Sequence, residues 1–178
     1  MSVLAEHVAT MACFTPLAGS DLSMWEQAQS AVPFYDPDKP SNLLALTARA
    51  ATRSVEAQRE LATFALYTAL SGGDEADRLS YVIEGLMVAR MAAAHGHVDD
   101  QFLCASMLSL AAMLSDGESA QMFAGEALAR MELLADADGD IGENAARIVA
   151  MCGDAEAPDT LRFAQTFRAD LIAAKGND

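Results

Sequence analysis

In a chain where charged residues fill 21% of positions, one stretch from Gln101 to Ser115, QFLCASMLSLAAMLS, has no charge at all. Leu103, Met107, Leu110 and Leu114 recur there at helical spacing, and Phe102, Cys104, Leu108, Ala111 and Met113 make the other sides apolar. A helix that is hydrophobic nearly all round has to be buried. Its fifteen residues fall short of the roughly 20 needed to cross a bilayer. The stretch therefore predicts a central core helix, with the remaining elements arranged around it.

Those elements are helical too, because no other segment alternates with period two for the length of a strand. Residues 2–14 predict a short helix with Leu4, Val8 and Met11 on one face, ended by Pro16 and Gly19. A second helix follows, capped by Ser20 or by the Ser23–Glu26 pair, with Leu22, Trp25 and Val32 in line. The proline-rich PFYDPDKP at 33–40 cannot continue a helix and reads as a linker.

From Ser41 to Ser71 there is neither Gly nor Pro, and strong helix formers dominate. Leu43, Leu44, Ala51, Val55, Leu61, Phe64 and Leu70 fit one long helix or two stacked ones. Asp74 to His95 predicts an amphipathic helix with Leu79, Val82, Ile83, Leu86, Met87 and Met91 inside, ended by Gly96. After the central helix, Ser115 and Glu118 form a capping box for a helix to about Ala135, whose seam is Ala120, Ala124, Ala127, Met131 and Leu134. Asp140 and Glu143 open another helix, with Ile141, Ala145, Ile148 and Cys152 in line. Pro158 begins the last one, along Leu161, Ala164, Phe167 and Leu171.

The expected architecture is a single all-α domain over 1–178, with N-terminal helices and linker in 1–40 and the main helical body in 41–178. A length of 178 residues and a hydrophobic content of 52% suffice for one packed core. A net charge of −15 and a pI near 4.3 exclude nucleic acid and anionic membrane as expected partners, since both require a basic footprint. Cys13, Cys104 and Cys152 are odd in number and far apart, which predicts reduced thiols. The first residues, MSVLAEHVATMACF, lack a basic signal-peptide start, and the expected location is the cytoplasm.

A weak internal periodicity runs through the second half. Gly85-Leu-Met-Val-Ala-Arg-Met91 and Gly125-Glu-Ala-Leu-Ala-Arg-Met131 share G-x-x-x-A-R-M forty residues apart, and Gly96 and Gly139 follow them at a similar interval. About 40 residues is the size of a helical-hairpin repeat unit. If the two copies are equivalent, both glycines should face another helix, and Arg90 and Arg130 should sit near an edge. Locally, Ala92-Ala93-x-x-Gly96-His97-x-Asp99-x-Gln101-Phe102 resembles the junction between units in the Sel-like branch of the tetratricopeptide family. In that family two alanines end one helix, Gly makes the turn, and Gln plus an aromatic begin the next. The chain departs from the pattern at Asp100, where Ala is usual, and at Ala105, where Gly is usual. The resemblance implies seven or eight helices stacked as antiparallel hairpins in a tetratricopeptide-like arrangement.

Candidate chemistry is sparse. His95-Gly-His97-Val-Asp99-Asp100 gathers potential metal ligands, but its i, i+2 histidines flank a Gly instead of sharing a helical face, so a polar turn capped by Asp99 or Asp100 is the simpler reading. The acidic run at Asp136 fails the calcium-loop pattern, with Ile141 at the sixth position and Arg147 at the twelfth. Cys104 and Cys152 lie among apolar neighbours and read as structural thiols. Arg49, Arg53 and Arg59 form, with Glu56 and Glu60, either an ion-paired solvated face or a docking site for an acidic partner or small anion. No cofactor is expected.

The function read from the sequence is non-enzymatic: a cytoplasmic interaction or regulatory module that takes a protein or peptide partner in a groove between helices. A homodimer is a further partner form. The alternatives are a helical bundle holding a small apolar ligand and a metal-dependent enzyme using His95, His97 and nearby carboxylates.

Overall fold

The structure, a computed structural model, describes residues 49–51, 53–70, 74–152 and 157–175. The expected helices over 2–14 and 20–32, the Ser23–Glu26 cap, the linker at 33–40 and Cys13 lie outside the described residues. Among the described residues the protein is all-α, with six helices after a short helical stretch at 49–51 and no strand. They are α1 (Val55–Leu70), α2 (Glu75–Ala93), α3 (Val98–Met113), α4 (Gly117–Leu134), α5 (Asp140–Cys152) and α6 (Pro158–Lys175). None is long and apolar enough to cross a membrane.

The run without Gly or Pro does break, at Arg53, whose φ is 67°. The Arg53 N–H donates to Ala50 O at 3.2 Å and the Ser54 N–H donates to Arg49 O at 3.3 Å. This pair of bonds around a left-handed residue is the Schellman ending of a helix, a place usually held by Gly. Ser54 then starts α1 at once: its carbonyl accepts from Gln58 N and its Oγ from Ala57 N. Arginine gives no composition signal for such a turn, so periodicity alone left both readings open. The result is two helices.

The described residues divide into two compact units, with the boundary between Leu103 and Cys104 inside α3. In the first, α2 runs back along α1. Asp74 caps α2 by accepting from Ala76 N at 2.8 Å, and the Arg78 Nε donates to Ala69 O at 2.7 Å, closing an open carbonyl at the end of α1. Ala50, Ala57 and Phe64 form a small buried cluster joined by Leu61 and Val88. At the other end of α2, Gly96 takes φ 83°, the left-handed turn a side chain would strain, and the Gln101 side chain donates to Ala93 O at 2.6 Å.

In the second unit α4 packs against both α5 and α6. Every residue of α3 from Cys104 to Ala112 is buried, as an uncharged stretch of helix requires. Ser106 and Ser109 are buried with them, and Ser109 Oγ donates back to Ala105 O at 2.9 Å, which satisfies the hydroxyl inside its own helix. The Ser115–Glu118 capping box does not form. Asp116 is the N-cap of α4 and makes no side-chain cap bond, so Glu118 falls one position short of the place from which it could reach back. The expected seams are otherwise present: Ala124, Ala127, Met131 and Leu134 on α4, and Ala145, Ile148 and Cys152 on α5, are buried. Pro158 takes the first position of α6.

Candidate functional site

The α2 stripe differs from its sequence expectation. Val82, Leu86, Ala89 and Ala93 are buried at helical spacing. Ile83, Met87 and Met91, expected inside, are exposed, Met87 to 66% and Met91 to 42%. Those three also recur at i, i+4 and i+8, so the helix carries two apolar stripes. A pattern of apolar residues cannot say which stripe meets a neighbour.

Part of that second stripe borders an open groove of about 490 Å³ between α1 and α2. Leu61, Phe64 and Ala65 form the α1 side, while Tyr81, Gly85, Met87, Val88 and Met91 form the α2 side. Ala50 and Ala51 lie at one end, and Glu84 is the one charged residue in the lining among the described residues. Gly85 is buried within the α2 wall. The walls are otherwise apolar, and their exposed methionines are flexible and polarisable enough to shape themselves to different guests.

The three arginines of the basic cluster separate. Arg49 and Arg53 are exposed beside Ala50 and Ala51. Arg59 faces Asp100 instead of its expected helical partners Glu56 and Glu60: Nε donates to Oδ1 at 2.5 Å and Nη2 to Oδ2 at 2.8 Å. Asp100 is fully buried, so it is no solvated cap of a polar turn. Its hydrogen bonds hold the Arg59 guanidinium above its ordinary pKa, more than offsetting the opposing effect of burial. A bidentate fork of this kind fixes orientation as well as charge. On the same α1, Oε1 of Gln58 and Oε2 of Glu60 are buried without a hydrogen-bond partner.

His95 and His97 are exposed at the turn between α2 and α3. Among the described residues no three His, Cys, Asp or Glu side chains are grouped to hold a metal ion. Cys104 and Cys152 are buried.

One charged pair escaped the sequence reading. Glu126 and Arg130 are both buried within α4, where Arg130 Nη2 donates to Glu126 Oε1 at 2.9 Å. Arg130 is only 6% exposed, which corrects its expected place at an edge, while Arg90 is exposed as expected. The signal was present as Glu126-x-x-x-Arg130, an i, i+4 pair, where the first copy of the motif has Leu86 in place of the acid. Among the comparisons with known proteins, no family model, curated protein or solved structure matches this chain.

Proposed function

We propose that the protein is a non-enzymatic, cytoplasmic interaction module, built from antiparallel helical hairpins in a tetratricopeptide-like (Sel-like) stack, that binds a protein or peptide in the groove between α1 and α2. The observation that carries the reading is the open apolar groove with Tyr81, Met87 and Met91 exposed along it. Exposed apolar side chains gathered along a concavity are characteristic of interaction sites. The hairpin reading is supported by the α2–α3 junction. Ala92 and Ala93 are buried, Gly96 makes the left-handed turn, and Gln101 ties the start of α3 to Ala93. Asp100, the departure from the family pattern, is accommodated because Arg59 neutralises it. The cytoplasmic location is supported by three widely spaced cysteines, an odd number, of which Cys104 and Cys152 are buried.

An open groove suits a peptide better than a small apolar ligand, which is held best when most of its surface is enclosed. Peptide-library selection on the full chain, followed by amide hydrogen exchange, tests the proposal. Selected peptides should slow exchange along 61–70 and 81–91, and Met87→Gln combined with Met91→Gln should weaken their binding at least tenfold. Failure to select any peptide, or binding indifferent to those substitutions, would overturn it.

A further inference from the structure

Resting on that groove reading, we infer that the occupant is an amphipathic helix whose apolar stripe is flanked by lysine or arginine. Three features lead there. The α2 wall from Tyr81 to Met91 rises about 15 Å, or nearly three helical turns. An apolar wall of that length matches a guest helix with anchors at i, i+3 or i+4, and i+7.

The second feature is charge. Glu84 lines the groove and is exposed. Asp77 is exposed one helical turn before Tyr81, on the same ridge of α2. Asp74 and Glu75 extend the acidic surface to the start of that helix. A cationic side chain flanking the guest's apolar stripe beside Tyr81 and Glu84 would meet these groups, whereas an acidic one would be repelled there; Arg49 and Arg53, exposed at the Ala50–Ala51 end, confine the basic flank to this half of the groove. The third feature is the chain's net charge of −15, which opposes a second copy of the same chain as the guest and favours a basic partner over an acidic one.

Three labelled synthetic helices, each about four turns long, test this by fluorescence anisotropy against the full chain. They share one leucine stripe at i, i+3 and i+7 and differ only in flanking residues: Lys, Gln or Glu. The Lys helix should bind at least ten times tighter than the Glu helix, with Gln between them. Glu84→Gln with Asp77→Asn, or added salt, should shrink that difference to about threefold, because exposed charges are screened and mainly steer encounter. Met87→Gln with Met91→Gln should weaken all three helices, and circular dichroism should show the fold unchanged, since both side chains are largely exposed.

Equal binding of the Lys and Glu helices, lost in the methionine variant, would overturn the basic preference while leaving the groove reading intact. Binding unaffected by the methionine variant would overturn both. A concentration-dependent dimer of the chain that dissolves in that variant would overturn the inference by making a second copy the guest.

Discussion

α2 and α4 carry the same seven-residue pattern and bury it differently. From Ala124 to Met131 every residue of α4 is buried, including Glu126 and Arg130. In the matching stretch of α2, Gly85, Leu86 and Ala89 are buried while Met87, Arg90 and Met91 are exposed. Neighbours make the difference. α4 is packed by α5 and α6, and its Gly125 lets α6 approach closely. A Cβ at Gly125 would lie 2.5 Å from the Phe163 Cβ and 2.9 Å from Thr160 O. Along α2 the space beside Gly85 remains a groove. One pattern, repeated, became packed core in one place and an open surface in the other.

The comparison can be broken most forcefully at the arginines. Arg130→Met takes its cationic partner from the buried Glu126 carboxylate and should cost about 3–5 kcal/mol in urea unfolding. Arg90→Met should stay within about 0.5 kcal/mol of the parent, as exposed substitutions do. Combining Arg130→Met with Glu126→Leu should recover most of the loss, because an apolar pair of similar size leaves no charge unpaired. Equal costs at Arg90 and Arg130 would mean that the two environments are alike after all.

The methionines one residue on should follow the same order on a smaller scale. Met131→Ala removes a fully buried side chain and should cost about 2–4 kcal/mol, against about 0.5 kcal/mol or less for Met91→Ala. Gly125→Ala comes next, at about 1–3 kcal/mol. That cost should appear despite the gain of roughly 1 kcal/mol that Ala brings to a helix interior. A higher melting temperature for this variant would show that α6 can simply move aside.

The smallest effect has the opposite sign. The chain uses left-handed residues at Gly96, Gly117 and Gly139, and a non-glycine one at Arg53. Arg53→Gly should raise stability by about 1 kcal/mol, the strain of a side chain in that conformation. The urea midpoint should rise with the slope of the transition unchanged. A fall in the midpoint would indicate that the Arg53 side chain contributes more than its backbone costs.

Several features were legible because a single helix suffices to display them. The uncharged run at 101–115, the Asp74 and Pro158 starts, and the seams of α4 and α5 all follow from spacing and local chemistry. The misreadings share one cause: each depended on a second element. Ile83, Met87 and Met91 have the spacing of core residues, but Val82, Leu86 and Ala89 are the ones that neighbouring elements cover. Asp100 has the look of a solvated cap, but Arg59, 41 residues earlier, reaches it. Ser115 and Glu118 have the letters of a capping box, but the chain enters α4 one residue later. The groove itself has no sequence signature, since its walls come from two helices.

By itself, then, the sequence determined that the chain is helical, where most of its described helices begin and end, and that the uncharged run must be buried. Those properties come from backbone hydrogen bonding, capping and the 3.6-residue repeat, which act within one element. Only the tertiary structure decided which of two apolar stripes on α2 faces water, which acids and arginines lie inside, and where a groove stays open. Burial depends on the area a neighbouring element covers, and two heptapeptides that share one pattern therefore have different fates beside different neighbours.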